Sequence, residues 1–427
     1  MRRLREGYKK TEVGVIPEDW EVKSLDGICE LIDGDRSSNY PSGDDIVEHG
    51  ILFLSTSNIK NNKLDYNNLR YITEEKFNSL RKGKLEKNDI IITLRGTIGS
   101  VALFNDKNFE TGFINAQMLI IRSKLINSNY LHNYLTSIIF KKQLEIISSG
   151  SAQPQLTKRD LATVKIVVPP LKEQEKIAEI FSSVDSQIDD TEKLIEKTKE
   201  LKKGLVKNLL TKGIGHSEFK KTEVGEIPAS WEVKKLEDVS ERVCVGFVGS
   251  CNEHYTLDTL NGIPMVRTTN MSKGILDLDD VKYVTEEFHN RNIKSQLKYG
   301  DILVARHGEN GKACLYSLNS EANCLNIVIV RPNNNLILSK FLLEVMNSDI
   351  TIKQINLSTV GSVQNVLNTK TISNLKVIIP CMKEQEKIAQ ILSSVDIEIE
   401  VYETRKQKLE ELKKGLMQQL LTGKIRV

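Results

Sequence analysis

Residues 9–28 read KKTEVGVIPEDWEVKSLDGI and residues 220–239 read KKTEVGEIPASWEVKKLEDV, with 13 identities in 20 positions at an offset of 211. A repeat at fixed spacing has to be settled before any local structure, because each copy must then be one structural unit. The only two tryptophans, Trp20 and Trp231, fall at the same place in the two copies. Downstream, residues 172–186, KEQEKIAEIFSSVDS, answer residues 383–397, KEQEKIAQILSSVDI, with 12 identities in 15 and the same offset. The chain is therefore two tandem units of equal length.

Between these frames the copies diverge, although an outline persists. Residues 71–75, YITEE, answer residues 283–287, YVTEE, and residues 89–92, DIII, answer residues 301–304, DILV. Residues 150–153, GSAQ, answer residues 361–364, GSVQ, each followed by an apolar run into Pro169 or Pro380. The interiors thus share a fold but not a surface. Near-identical frames around divergent interiors imply one kind of partner met twice and two different ligands.

β-Branched runs at residues 89–94, 118–121 and 164–168 predict strands, as do their counterparts at 301–304, 327–330 and 375–379. Apolar residues at three and four spacing predict one helix over residues 128–147 and another over 339–355. Each interior is then a mixed α/β domain of ordinary size for one core. Beyond the terminal prolines the period changes. Ile177, Phe181, Val184, Ile188, Thr191, Ile195, Thr198, Lys202, Leu205 and Leu209 step by alternating four and three. Ile388, Leu392, Val395, Ile399, Tyr402, Lys406, Leu409, Lys413, Leu416 and Leu420 repeat the pattern. This heptad seam, with Glu and Lys over the outside, calls for a coiled-coil partner, and the obvious partner is the other copy. Gly204 and Gly415 interrupt both seams in the same LKKGL context, as a close helix approach, a local break, a hinge or a partner-docking notch. Thr211-Lys-Gly213 and Thr422-Gly423 read as helix stops.

Sixty Lys plus Arg against 57 Asp plus Glu leave a net charge of +3, so any basic surface must be local. The basic start is not followed by an apolar run, which predicts a cytoplasmic chain without a signal peptide or membrane anchor. Cys29, Cys244, Cys251, Cys314, Cys324 and Cys381 form no CxxC pair, so no zinc or other metal site is expected and the cysteines read as small core residues. No GxxxxGK[ST] loop offers a seat for ATP, and there is no Asn/Asp-Pro-Pro-aromatic tetrad of amino-methyltransferases. Glu74-Glu75-Lys76 and Glu200-Leu201-Lys202 have nuclease-like spacing but lack a preceding Pro-Asp, and read as solvated charges. No catalytic residue and no cofactor is expected.

The order domain, helix, domain, helix, with GSxQ, an apolar run, PPLKEQEKIA and a closing LKKGLMQQLLTGKIRV, resembles the specificity subunit of type I restriction-modification enzymes over essentially the whole chain. One departure is Pro380-Cys381 where the first copy has Pro169-Pro170, which predicts a less rigid helix start. The resemblance implies a target-recognition domain at residues 1–171, a coiled-coil spacer at 172–212, a second recognition domain at 213–382 and a C-terminal helix at 383–427. It implies two antiparallel coiled-coil helices and a pseudo-twofold internal repeat. It also implies double-stranded DNA as ligand, two docked methyltransferase subunits, and a separate restriction and translocation subunit. Two rival readings remain open: a related system with a fused nuclease-methyltransferase partner, and a coiled-coil scaffold whose globular ends bind proteins.

Base reading needs bidentate Arg for guanine and Asn or Gln for adenine, on loops that can enter a groove. The candidates in the first domain are Arg36, Asn39, Tyr40, Asn58, Lys60, Arg95, Gln153 and Gln155. In the second they are Arg267, Asn270, Arg306, His307, Asn310, Gln364 and Asn365. Residues 94–99, LRGTIG, align with residues 306–311, RHGENG, keeping both glycines and exchanging the side chains between them, as one turn serving two readouts would.

Overall fold

The computed structural model describes residues 6–35, 40–148, 155–272, 275–307, 311–359 and 367–427. It divides into two compact units, Met1–Glu192 with Thr404–Val427, and Lys193–Glu403. In the first unit the buried run Asp89–Thr93 lies between Val101–Phe104 and Met118–Ser123, all antiparallel, and Cys29–Asp33 completes the sheet. Side chains of a strand alternate between faces. Ile90 and Ile92 accordingly join the core shared with the helices, whereas Ile91 joins the core against a second sheet that contributes Leu52, Leu54 and Ile114. That second sheet has five strands and includes a parallel pair, Ile51–Leu54 with Gly112–Ile114.

The second unit repeats the plan. Ile302–Ala305 sits between Ile327–Pro332 and Ala313–Leu315, with Ser240–Val245 at the edge. Ile302 and Val304 face the helices, and Leu303 and Ala305 face the other sheet. Each central strand is entered at a buried aspartate. Asp89 is held by Arg122 at 2.8–2.9 Å and Asp301 by Arg331 at 2.7–2.8 Å, and each carboxylate also accepts a backbone N–H from three residues earlier.

The single helix expected after each central sheet is two. Ser128–Thr136 and Ile138–Ser148 meet at Ser137, and Ser339–Met346 and Asp349–Thr359 meet at Asn347 and Ser348. Ser137 stands in extended backbone, and its hydroxyl donates to Tyr134 O and accepts from Phe140 N. Serine competes for backbone hydrogen bonds and so ends one helix while starting the next, although the apolar spacing runs on across the break.

Leu171–Lys212 and Met382–Leu420 are the long helices. Within the first unit, Ile177, Ala178 and Phe181 pack with Trp20 and with Leu420 and Leu421. There Lys413 pairs with Asp185 and Lys406 with Glu192. Within the second unit, Ile388, Ala389 and Leu392 pack with Trp231, Leu209 and Leu210, while Lys202 pairs with Asp396 and Lys199 with Glu403. In both units one partner index rises as the other falls, so the paired segments run antiparallel. The lysines that punctuate the seam are thus ion-pair partners of the facing segment.

Helix starts and stops explain the rest of the frame. Pro170 O accepts from the N–H groups of Glu173 and Gln174, and Cys381 O accepts from those of Glu384 and Gln385. The second helix therefore begins in the same register without the second proline. At the far ends, Gly213 and Gly423 adopt φ of +64° and +66°, which terminates a helix and favours glycine. A Cβ on Gly213 would lie 2.6 Å from Glu384 and 2.7 Å from Trp231. Gly204 and Gly415 differ: both helices continue through them, and a Cβ there meets nothing within 4 Å. Neither a break nor a close approach among the described residues accounts for them.

These two kinds of glycine have opposite expected responses to alanine. Gly213→Ala forces a left-handed β-carbon into a filled joint and should destabilise by about 2 kcal/mol or more. Gly204→Ala should stabilise by about 1 kcal/mol. Urea melts of both variants check the contrast, which fails if they shift in the same direction.

Candidate nucleic-acid interface

In each unit several loops converge on one short segment. In the first it is residues 115–117, which lead into Met118–Ser123. Asn115 N donates to Leu54 O at 3.0 Å, where the loop carrying Asn58 begins, and Gln117 O accepts from Leu94 N at 2.8 Å, where the loop carrying Arg95 begins. Leu94 O accepts in turn from Leu156 N at 3.1 Å, next to Gln155. Gly34, at the end of the Cys29–Asp33 strand, lies so close that a Cβ would be 2.5 Å from Asn115 O. Tyr40 packs on Phe53 and Phe113, and its hydroxyl meets the Ala116 backbone N–H. Burial raises the Tyr40 phenol above its ordinary range.

The second unit builds the same hub on residues 324–326. Phe247 N donates to Cys324 O, Leu325 N to Val266 O and Asn326 N to Phe247 O, at 2.8–2.9 Å. Leu367 N donates to Arg306 O at 3.2 Å, as Leu156 does to Leu94. The second glycine of each aligned turn is wedged under a helix: a Cβ on Gly99 meets Leu144, and one on Gly311 meets Ile355. Geometry thus fixes the second glycine of the turn in both copies.

The candidates separate into three groups at these hubs. Asn58 and Asn270 are buried and play one structural part in both copies. Their Oδ1 atoms accept from Ser55 N and Arg267 N at 3.0 Å, and their Nδ2 groups donate to Asp65 O and Asp277 O. Lys60 is paired with Asp65, and Arg267 with the Asp280 carbonyl and carboxylate. The Arg306 guanidinium is tied to Leu367 O at 2.9 Å and Asn326 Oδ1 at 3.3 Å. Arg95, Gln155 and His307 are exposed, and their side chains make no hydrogen bond or ion pair with the described residues. Arg36, Asn39, Gln153, Asn310, Gln364 and Asn365 lie outside the described residues.

Cys29, Cys251, Cys314 and Cys324 are buried and all six cysteines are free. Burial pushes the Cys29 thiol up to about 12 and the Cys314 thiol to about 11, which disfavours a reactive thiolate at either. Among the described residues no three His, Cys, Asp or Glu side chains gather as a metal site, and no helix is long and apolar enough to cross a membrane.

The model of the type I restriction modification DNA specificity domain matches residues 17–202 and 228–411, and the chain belongs to this family. It is similar to the type I restriction enzyme MjaVIII specificity subunit of Methanocaldococcus jannaschii, with 28% identity over 99% of this chain and 96% of the relative. A second relative from that organism, the putative type I restriction enzyme MjaX specificity subunit, is 29% identical over 99% and 97%. Among solved structures, the S subunit of a type I restriction-modification system from M. genitalium shares the fold. Its TM-score is 0.59 at 16% identity, with coverage of 98% of this chain and 97% of that one. The two family matches coincide with the two copies of the repeat, and the chain is a DNA-specificity subunit of a type I restriction-modification system.

The separation of the candidates has a measurable consequence. Asn58→Ala and Asn270→Ala strand buried backbone groups and should each cost about 1–3 kcal/mol of stability. Arg95→Ala and His307→Ala should leave the melting transition within about 0.5 kcal/mol of wild type, as exposed substitutions do. Denaturant melts of the four variants provide the comparison.

Proposed function

We propose that this chain reads a split, asymmetric site on double-stranded DNA, one half with residues 1–171 and the other with residues 213–382. The helices at 172–212 and 383–427, paired as an antiparallel coiled coil about a pseudo-twofold axis, set the gap between the half-sites. They also dock two methyltransferase subunits, through which a restriction and translocation subunit joins. The chain itself reads and positions, in the cytoplasm, and catalysis belongs to its partners. The observation that carries this reading is how the two copies divide their residues. Several that build the fold are the same in both, including Asn58 and Asn270 and the pairs Asp89–Arg122 and Asp301–Arg331. Exposed residues at the two hubs, Arg95 against His307, differ. One scaffold with two readouts suits two unlike half-sites.

The proposed docking is supported by Gly204 and Gly415. Each costs its helix about 1 kcal/mol relative to alanine and serves no contact within the described residues. Three residues earlier stand Leu201 and Leu412, exposed at 55% and 51%. A bare backbone notch beside an exposed leucine, occurring once per copy, suits two identical subunits that approach closely.

Alone, with S-adenosylmethionine, ATP and magnesium, the chain should leave DNA unmethylated and uncut, and added methyltransferase should restore methylation. The paired variant Gly204→Ala with Gly415→Ala should fold more stably yet bind methyltransferase roughly 5- to 150-fold more weakly, the range of an overpacked contact. Wild-type affinity in a co-sedimentation assay would remove the glycines from the interface.

The ruler is tested separately. Four residues inserted after Glu196 and four after Gln407 lengthen each helix by about 6 Å and keep the seam nearly in phase. Methylation mapping should report a wider gap and the same bases. Changed bases at a constant gap would place sequence reading on the helices.

A further inference from the structure

Resting on the reading above, the hub of the first unit points to a reader outside the loops already singled out. Gln117 is the last residue before the buried strand Met118–Ser123. Its backbone is pinned on both sides. Gln117 N donates to Asn115 Oδ1 at 3.0 Å, and Gln117 O accepts from Leu94 N at 2.8 Å. Its side chain is nevertheless exposed, and its amide makes no hydrogen bond with the described residues. A fixed backbone sets where this exposed amide is presented, so only side-chain freedom is left to lose on binding.

The neighbours of Gln117 are of the same kind. Leu94, bonded to Gln117 through its N–H and to Leu156 through its carbonyl, is followed by Arg95, and Leu156 is preceded by Gln155. Three exposed side chains, one guanidinium and two amides, therefore spring from a single hydrogen-bonded node. Among the described residues no acidic side chain is paired with any of them. Guanidinium and amide groups are the two that read purines bidentately in the major groove.

In the second unit the aligned position is Asn326, and its environment differs. Arg306, which replaces Leu94, donates to Asn326 Oδ1 at 3.3 Å. That bond orients the amide and takes up one of the two lone pairs of its oxygen, so the Asn326 acceptor is shared with Arg306 while its NH2 remains to donate. A bidentate adenine contact needs both a donor and an acceptor from the amide, for N7 and N6. Gln117 has both to give with no competitor among the described residues, whereas the Asn326 oxygen is shared with Arg306.

We propose that Gln117 is a specificity-determining residue of the first domain and reads one adenine of the first half-site through its amide. Asn326 holds the corresponding position in the second domain and donates to a purine acceptor of the second half-site.

The test uses the full chain with its methyltransferase subunits on a pool of duplexes randomised in both half-sites, with methylated products sequenced. Gln117→Ala should relax one adenine position of the first half-site by roughly 5- to 150-fold, the range of one bidentate contact. The gap and the second half-site should stay as they are. Gln117→Glu, which can only accept, should shift that position from adenine towards cytosine. Asn326→Ala should relax one position of the second half-site alone. A selective wild type whose base preferences are unchanged in the Gln117 variants overturns this inference alone. So does a uniform loss of methylation at all positions. A wild type with no sequence preference overturns both this inference and the reading beneath it.

Discussion

Each unit depends on a buried carboxylate at the first turn of a long helix. Glu173 accepts from Trp20 Nε1 at 3.0 Å and from the Arg426 guanidinium at 2.8–2.9 Å. Glu384 accepts from Trp231 Nε1 at 2.9 Å, from Ile214 N at 2.9 Å, and pairs with His216 Nε2 at 2.8 Å. Three pieces distant in sequence meet there: the tryptophan of the frame, the start of one long helix and the segment just past the end of the other. A buried charge without partners costs several kcal/mol, so the joint forms complete or not at all. The positive end of the helix dipole favours the same carboxylate.

The joint also shows which features of the frame are dictated by physics. The first unit closes on a guanidinium, which Asp19 holds as well, and the second on an imidazole with a backbone amide. Donor count is preserved while residue identity is not. What cannot vary is the tryptophan and the glycine at the helix end, since Gly213 and Gly423 lie against Trp231 and Trp20 with no room for a β-carbon. The first unit is consequently closed by the segment that follows the second long helix: Tyr8 donates to Gly423 O at 2.8 Å, 415 residues away. The repeat is sequential, but its compact units are not two consecutive halves.

Much of this was legible in the sequence because it rests on patterns that burial imposes. The apolar β-branched runs of the central strands and the heptad spacing follow from which faces meet apolar neighbours, and the offset of 211 is read directly from the repeated residues. Glu173 and Gln174 were not legible. In KEQEK they look like the solvated outside of a coiled coil, yet both are buried, and Gln174 bridges Asn127 N and Pro169 O. Identity between the copies did not single them out, because the exposed Lys172, Glu175 and Lys176 are repeated as well. Asn58 and Asn270 pose the opposite difficulty. Asparagine in a loop suits base reading and turn capping equally, and only hydrogen-bond partners distinguish the two. The hubs at 115–117 and 324–326 were invisible because their role comes from long-range backbone bonds that leave no periodicity.

Such a hub explains how one scaffold can serve two ligands. The backbone of residues 115–117 is fixed by bonds to Leu54 and Leu94, and by the close approach of Gly34. None of these restraints involves the Gln117 side chain. A side-chain change at such a position alters what is presented without altering where it is presented. Leu94 shows the complementary case, because it is buried in the first unit and its counterpart Arg306 must spend its charge on Leu367 O and Asn326 Oδ1. Exchanging leucine for arginine there is compatible with the fold only when acceptors are at hand, and it alters the neighbouring amide in the process. Readout at a pinned, exposed position can therefore change one residue at a time, whereas readout through the node beneath it changes only in coordinated sets.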